Sequence, residues 1–286
     1  MRTSLEKNGI WLTAWGALVL TALLTRPPLP VDETRYLSVA WEMWQQQHIL
    51  VPISNGAPYS HKPPLLFWLM QASWLPFGVH GFTARLIAPL FGLGSIWLSM
   101  RLAAKLWPER PVLPSRVPFL LLGMPVWTVY ASLTMFDTLV AFFSLLGWLA
   151  LINAAQTNRP AWWWVFGLAI GLGLLSKGPV ALVFLLWPAL LAPWWLRSWP
   201  HSWWSWYIRV FAALMLGTVI ILAWAIPAAL VGGSDYARAL FWGQTAGRIH
   251  NSFAHQHPVY WYALLLPVLL LPWSLYPRSE EHTSEL

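Results

Sequence analysis

Cysteine is absent from this sequence, and charge is scarce, since only 9% of the 286 residues are charged. The absence of cysteine excludes a disulfide framework and a thiolate metal site. Soluble domains carry roughly 25% charged residues, so the shortage of charge argues against a soluble protein. Glycine-rich nucleotide-binding motifs, the zinc-protease motif and a Ser-His-Asp pattern are also missing, which argues against ATP-driven and serine-hydrolase chemistry.

Apolar residues, in contrast, are abundant: 58% of the chain is hydrophobic, and 24 residues are tryptophan. Tryptophan is enriched where membrane proteins meet lipid headgroups, and a helix that crosses a bilayer needs about 20 apolar residues. The composition therefore predicts an all-α polytopic membrane protein with about eight transmembrane helices. The predicted spans are residues 10–25, 82–103, 117–131, 133–154, 162–175, 179–196, 208–231 and 259–276.

The net charge of +7 suggests nucleic acid, but the basic residues are spread among apolar spans and form no basic run. The positive-inside rule accounts for them better, so we expect no nucleic-acid partner. With Arg2 and Lys7 in the cytoplasm, the long connections 27–81 and 232–258 lie on the outer face. We expect helices on the membrane surface in or beside these connections, at 33–48, 65–75 and 236–248.

The last nine residues, 278–286, break abruptly from the apolar sequence before them. They are similar to the translation of a sequencing-library adaptor, so we interpret them as a non-native tail. Residues 1–277 are then expected to form one truncated transmembrane domain whose natural sequence continues past Pro277. The first apolar run ends without a small-residue cleavage site, which predicts an uncleaved first helix.

The first candidate site feature is Asp32-Glu33, followed by Arg35, at the start of the first outer connection. Two adjacent carboxylates at a membrane edge in so apolar a chain indicate a polar catalytic pocket. The structural alternative is that Asp32 caps a helix and that Glu33 lies near its positive dipole end. Capping and catalysis are compatible, so both interpretations stay open.

The second feature is Tyr59-Ser-His61-Lys62, and Pro63 and Pro64 stiffen the turn that follows it. A lysine ammonium is a compact point charge, which suits it to holding a phosphate oxygen. The alternative is that Lys62 extends its charged end to the membrane interface without a specific partner.

Two further charges lie near the outer ends of predicted spans. Asp137 is the only acidic residue between Glu109 and Asp235, and a carboxylate at membrane depth is costly and usually functional. Its structural alternative is a pair with Arg85. Lys177, in the turn between the fifth and sixth spans, faces the same side, and lipid phosphate is its alternative partner.

A histidine cluster, His250, His255 and His257, lies in the second outer connection. Its spacing permits a metal or phosphate contact. A solvated loop is an equally good interpretation of these residues.

Together, Asp32-Glu33, Tyr59-x-x-Lys62-Pro-Pro and Lys177-Gly-Pro make the chain resemble family 39-type glycosyltransferases of the GT-C fold. That family includes lipid A aminoarabinose transferases and protein O-mannosyltransferases, and the resemblance extends over about residues 11–276. It implies a multi-spanning enzyme that moves a sugar from a polyprenyl-phosphate donor to a lipid, glycan or protein acceptor. It also implies a bacterial inner-membrane location with a periplasmic active site.

Carried onto this sequence, the resemblance implies that Asp32, Glu33 and Asp137 are the catalytic carboxylates. The donor phosphate is expected at a group of basic and aromatic side chains, namely Lys62, Arg35, Tyr59, Arg85 and Lys177. These motifs require no cofactor, although a divalent cation, magnesium or manganese, is compatible with them through His61 and His257. His61 departs from the aminoarabinose transferases, which commonly have glutamate there, so a negative charge beside the lysine is missing.

Two other functions stay open. A transporter or flippase for an anionic lipid or sugar would also use intramembrane Asp and Lys, but it predicts charges along a pathway that reaches both faces. A non-catalytic scaffold predicts that Asp32 and Asp137 point apart and that Lys62 lies at the lipid interface. An enzyme predicts that these three side chains gather at one mouth.

Overall fold

Helices form nearly all the regular structure in the computed structural model, which describes residues 2–196, 202–246 and 258–275. Apolar segments that enter lipid must satisfy their backbone polar groups internally, and a helix does so within one segment. In chain order the α-helices are α1 (Arg2–Thr25), α2 (Asp32–Gln45), α3 (Leu65–Phe77), α4 (Gly81–Leu106), α5 (Leu113–Leu122), α6 (Pro125–Ser132), α7 (Phe136–Thr157), α8 (Ala161–Lys177), α9 (Val180–Leu190), α10 (Ala192–Trp195), α11 (Trp203–Arg238) and α12 (Val259–Leu269). A π-helix (Ala239–Ala246) follows α11, a 3₁₀ turn (Trp273–Leu275) follows α12, and strands β1 (Ile53–Ser54) and β2 (Ala57–Pro58) pair antiparallel.

Three helical segments in the described ranges are long and apolar enough to cross a membrane: α4, α7 and the stretch Trp203–Gly243, which contains α11. Other apolar helices, such as α8, have fewer than 18 residues. Such helices need tilt, local thinning of the bilayer or help from their flanks to span it. The predicted all-α polytopic class is confirmed, and the count of eight spans stays a prediction.

Three predicted spans prove not to be single helices. The span at 117–131 is divided between α5 and α6, because α5 ends at Leu122, just before Gly123, and α6 begins with Pro125. Proline has no N–H to donate to the preceding turn, but it is well suited to the first position of a new helix. The span at 179–196 is likewise divided between α9 and the short α10, which has Pro193 in its first turn. In the last, at 259–276, α12 ends at Leu269 and a separate 3₁₀ turn (Trp273–Leu275) follows.

The centre of the bundle is α8, which packs along both α7 and α11, while α7 also packs along α4. Glycine permits the close approach of α8 and α11. A Cβ on Gly217 would lie 2.3 Å from Ile170 Cγ2, and one on Gly171 would lie 2.6 Å from Ile220 Cδ1. Small residues at such crossings are typical of membrane helices. Because α7 and α8 are joined by a short turn, the start of α7 and the end of α8 lie at the same end of the bundle.

The first long connection folds over that end of the bundle as α2, the hairpin and α3. Helices predicted at 33–48 and 65–75 are present there as α2 and α3. The Glu42 carboxylate of α2 accepts hydrogen bonds from the backbone N–H groups of Asn55 (2.8 Å) and Gly56 (2.9 Å) at the hairpin turn. The Trp224 indole of α11 donates to the Leu50 carbonyl at 2.8 Å. These bonds fix the segment that leads to Tyr59.

The helix predicted at 236–248 begins instead as a continuation of α11. Gly233 interrupts α11 with φ 84° and ψ 175°, a conformation that glycine alone adopts at little cost. Beyond this kink the chain continues through Arg238 into the π-helix. Residues 247–248 lie outside the described ranges.

Candidate active site

Tyr36 of α2 lies at the centre of the predicted site residues. Its ring is buried and packs edge-on against Phe136 at a centroid distance of 4.9 Å. Its hydroxyl donates to Asp32 Oδ1 at 3.4 Å. Burial raises the pKa of Tyr36 above its ordinary value, and the nearby groups Asp32, Tyr59 and Asp137 raise it further, while Arg35 lowers it. All of these groups therefore lie close enough to Tyr36 to influence its charge.

Lys62 joins the same group from the connection between the hairpin and α3. Its Nζ lies over the Phe136 ring, 5.9 Å from the centroid, which is within cation–π range. Tyr59 is buried, and its ring stacks on His61 at 5.2 Å with an interplanar angle of 19°. Asp137 directly follows Phe136 in the first turn of α7. The lysine and two of the predicted carboxylates are thus gathered around the rings of Tyr36 and Phe136.

Asp137 forms an ion pair with Lys177, whose Nζ lies 2.5 Å from Asp137 Oδ1. The sequence alternative, a pair with Arg85, is therefore wrong. Asp137 lies in the first turn of α7 and Lys177 is the last residue of α8, so each charge complements the dipole of its own helix. The pair neutralises Asp137 and fixes it at the end of the α7–α8 packing.

Two cavities meet at Lys177. One has a volume of about 490 Å³ and extends from Asp137 and Lys177 along α7 to the apolar side chains of Leu145 and Trp148. The other has a volume of about 240 Å³ and is lined by His61, Lys177 and apolar residues of α11. Each cavity therefore combines a charged end with an apolar wall. A lipid phosphate, which joins a charged group to an apolar chain, has the matching chemical character.

Glu33 points away from these cavities into the protein. Its side chain is fully buried and forms an ion pair with Arg26. It also accepts hydrogen bonds from the backbone N–H groups of Leu29 (2.7 Å) and Thr134 (2.8 Å). Burial alone would raise the pKa of Glu33, but the bonds from Arg26, Thr134 and Leu29 outweigh it and lower the pKa to about 2. The carboxylate is saturated with donors, so its contacts are those of a structural group.

Thr134 reaches Glu33 because α7 begins three residues later than the predicted span. Met135, the residue before α7, has an extended backbone (φ −122°, ψ 147°), which frees the N–H of Thr134 from helical bonding. Asp32 lies next to Glu33, and Asp137 lies three residues after Thr134. The buried bond therefore joins the segments that carry these two aspartates.

Arg85 was expected at the donor phosphate, but the structure places it beneath the site. Only 7% of the residue is exposed, and its guanidinium donates to the backbone carbonyls of Leu23 (3.3 Å) and Arg26 (3.0 Å). Arg85 thus holds the end of α1 against α4, behind the Arg26–Glu33 pair. Arg26 was not among the predicted site residues. Its sequence signal is a basic residue directly before Pro27 and Pro28, seven positions before Glu33.

The remaining predicted residues also have defined positions. Asp32 is the first residue of α2 and is half-buried. It is not the N-cap, because that position is held by Val31, which makes no side-chain capping bond. Arg35 is exposed one turn further along α2. His257 and the rest of its cluster lie outside the described ranges.

The described side chains do not form a ligand set for a divalent cation around His61, and His257 lies outside the described ranges. Across the described ranges, no three His, Asp or Glu side chains are grouped so that they could hold a metal ion. His61 stacks on Tyr59, and Asp137 is paired with Lys177. Magnesium and manganese require several oxygen ligands, which the described side chains around His61 do not offer.

Comparison with known proteins agrees with this architecture. A sequence model described as dolichyl-phosphate-mannose-protein mannosyltransferase matches residues 61–224, more than half of the chain. The chain belongs to this family. Among solved structures, ArnT from Cupriavidus metallidurans bound to undecaprenyl phosphate superposes with a TM-score of 0.72 at 21% identity, over 93% of this chain and 48% of that one. The mannosyltransferase-family chain therefore has the GT-C fold of a multi-pass membrane protein.

Curated relatives point in the same direction. The undecaprenyl phosphate-α-4-amino-4-deoxy-L-arabinose arabinosyl transferase of Pseudomonas aeruginosa (strain UCBPP-PA14) is 30% identical over 272 residues, covering 92% of this chain and 48% of the relative. The undecaprenyl phosphate-α-4-amino-4-deoxy-L-arabinose arabinosyl transferase 2 of Pseudomonas fluorescens (strain Pf0-1) is 30% identical over 251 residues. That match covers 85% of this chain and 44% of the relative. This member of the mannosyltransferase family spans about half the length of the curated relatives it matches.

Proposed function

We propose that this chain acts in a membrane glycosyltransferase, which moves a sugar from a polyprenyl-phosphate donor to a lipid, glycan or protein acceptor. The observation that carries the proposal is the gathering of Asp32, Lys62 and Asp137 around the Tyr36–Phe136 pair. The names of the curated relatives and the undecaprenyl phosphate in the solved ArnT structure support the choice of donor.

Lys62 is the best candidate to hold the donor phosphate. Its ammonium lies above the Phe136 ring, and the residue is half-buried. Charge-assisted contacts to a phosphate are stronger there than in bulk water. Arg35, which is exposed on the first turn of α2, is placed to add a second contact as the donor binds.

Asp32 is assigned as the base for a hydroxyl acceptor. The carboxylate of Asp137 is neutralised by Lys177, and that of Glu33 is saturated by Arg26 and two backbone N–H groups. Asp32 accepts only the long bond from Tyr36 among the hydrogen bonds in the described ranges. Of the three predicted catalytic carboxylates, Asp32 thus keeps the most capacity to accept a proton.

The reaction then has a simple balance. The acceptor oxygen forms a bond to the anomeric carbon of the sugar as the bond from that carbon to the phosphate oxygen breaks. The hydroxyl proton passes to Asp32, and the electron pair of the broken bond leaves on the polyprenyl phosphate, whose charge Lys62 stabilises. Direct displacement inverts the anomeric configuration, as expected from family analogy. A phosphate acceptor needs no base, and Asp32 would then orient it.

The membrane arrangement is part of the proposal. We place the chain in a bacterial inner membrane with its N-terminus in the cytoplasm and the site on the periplasmic face. The positive-inside distribution of short loops supports this orientation. In this orientation the long prenyl chain of the donor would enter the apolar cavity along α7, and the donor phosphate would stay at Lys62.

The decisive experiment is sugar transfer by the protein reconstituted in vesicles, with a polyprenyl-phosphate sugar as donor. We expect Asp32→Asn to reduce transfer to a hydroxyl acceptor by about 10²-fold or more, the contribution typical of a general base. Asp235→Asn, which changes an exposed carboxylate, is the matched control. Unchanged turnover in Asp32→Asn would rule out Asp32 as the base.

A further inference from the structure

A further charged cavity lies at the opposite end of the bundle from the candidate active site. It has a volume of about 220 Å³ and is formed by the start of α8 and the first half of α11, with Pro160, Trp163, Trp164 and Arg209 among its lining residues. Because α7 runs from Asp137 at the site to Thr157 beside this cavity, the two places are separated by the full length of α7.

Arg209 is the charged member of this cavity, and it is held in place by Asn158. Asn158 ends α7 in a left-handed conformation (φ 52°, ψ 19°), and its Oδ1 accepts a hydrogen bond from Arg209 Nη1 at 2.7 Å. Among the described residues, Asn158 is the hydrogen-bond partner of the Arg209 guanidinium, and no carboxylate forms an ion pair with it. A guanidinium has five N–H donors. Most of the donors of Arg209 are therefore available to a ligand.

Trp163 forms a buried part of the cavity wall. Trp163 is 92% buried, and its indole N–H has no hydrogen-bond partner among the described residues. Its ring is fixed edge-on against Trp206 at 4.8 Å, so the indole is not free to turn outward. The indole nitrogen is enclosed and does not open into the cavity, so Trp163 contributes a rigid aromatic wall.

The environment of the Arg209 donors favours a phosphate at the membrane surface. Trp164 is 64% exposed beside them, as is typical of a tryptophan at the lipid headgroup level. Arg159 is exposed in the same turn, and this turn contains no acidic residue. The cavity is smaller than the roughly 300–1,000 Å³ of sites that enclose a whole small-molecule ligand. It suits a headgroup whose acyl chains remain in the bilayer.

We propose that this cavity binds the phosphate group of an anionic membrane phospholipid, with Arg209 as the main contact. Such a lipid would bridge α8 and α11, whose packing forms the centre of the bundle. The expected consequence is stabilisation of the folded protein, because a ligand that binds only the folded state raises its stability. The proposal does not depend on sugar transfer.

The test is the thermal unfolding midpoint of the purified protein in detergent, with added phosphatidylglycerol, diacylglycerol or inorganic phosphate. We expect phosphatidylglycerol to raise the midpoint, and diacylglycerol, which has the chains without the phosphate, to leave it unchanged. Inorganic phosphate at the same concentration is also expected to have no effect. An equal rise with diacylglycerol would overturn the proposal, and an equal rise with inorganic phosphate would overturn the assignment to a lipid.

Two variants locate the binding. Arg209→Gln is expected to weaken the apparent affinity for phosphatidylglycerol about tenfold, as for the loss of one charge-assisted contact. Arg110→Gln removes an exposed arginine from the connection between α4 and α5, which does not line this cavity, and is expected to keep the wild-type affinity. Equal affinities in the two variants would overturn the assignment to Arg209. If Arg209→Gln does not fold, the wild-type comparison of phosphatidylglycerol with diacylglycerol still decides the proposal.

Discussion

Lys177 Nζ lies 2.5 Å from Asp137 Oδ1, although 40 residues separate them in the chain. The pair joins the end of α8 to the start of α7, where the two cavities of the candidate site meet. It also changes the role expected of Asp137, because the Lys177 ammonium occupies one of its carboxylate oxygens. The position of Lys177 therefore decides which aspartate is assigned the proton transfer.

We expect Asp137 and Lys177 to act as a unit. Asp137→Asn and Lys177→Met should each lower sugar transfer, and the double variant should lose less than the product of the two single losses. The Asp137 side chain is 57% exposed, so each change should cost the folded protein less than about 1 kcal/mol. Transfer rates and unfolding midpoints of the three variants check this, and losses that simply multiply would contradict it.

Lys62 is expected to act on donor binding. Lys62→Ala should raise the donor KM about tenfold, the effect of one lost charge-assisted contact, while Lys62→Arg should raise it less because the charge is kept. Lys105, which donates to Gln156 near the other end of α7, provides the matched control as Lys105→Ala. The measurement is the donor KM in reconstituted vesicles. Small and equal effects of both Lys62 changes would remove its phosphate role.

Much of the helical framework could be predicted from hydropathy alone. The span predicted at 82–103 corresponds to α4 and that at 133–154 to α7. Predicted spans failed as single helices where proline and glycine interrupt an apolar run, as at Gly123 and Pro125. Hydropathy is averaged over a window, so it does not detect the break caused by one proline that lacks an N–H. The proline and glycine in the sequence did indicate where a helix could break.

The site was harder to predict because its members come together only through packing. Asp32, Lys62 and Asp137 could be singled out as charges in apolar surroundings. The partner of Asp137 depended on which helix ends lie side by side, and the antiparallel packing of α7 and α8 selected Lys177 over Arg85. The burial of Glu33 could not be read from its neighbours in sequence, since its partner Thr134 lies 101 residues away.

The orientation of the chain can be tested directly because it has no native cysteine. We expect cysteine at position 60, beside the candidate site, to react with a membrane-impermeant maleimide added to intact spheroplasts. Cysteine at position 159, in the turn between α7 and α8, should react only after the membrane is opened. These positions lie at opposite ends of the bundle. Labelling of both from the same side would contradict the proposed membrane arrangement.

Glu33 is expected to contribute stability rather than proton transfer. Its pKa in the folded protein is about 2, against an ordinary value of 4.5, which corresponds to about 3 kcal/mol at 1.36 kcal/mol per unit. Because the folded pKa is the lower one, this stabilisation is complete above pH 4.5 and is lost as the pH falls towards 2. Glu33→Gln should therefore lower the free energy of unfolding at pH 7 by about this amount.

The pH dependence of that difference distinguishes the buried carboxylate from a mere packing defect. Between pH 8 and 5 the gap in stability between wild type and Glu33→Gln should stay constant, since Glu33 is ionised in the folded and unfolded chain alike. Below pH 4.5 the gap should narrow, because the wild-type protein loses the charge paired with Arg26 while the glutamine variant has none to lose. Unfolding midpoints in detergent from pH 8 to 3 measure both curves, with Asp235→Asn as an exposed carboxylate control. A gap that persists unchanged to pH 3 would mean that the shape of the side chain, and not the ionised carboxylate, holds α2 to the start of α7.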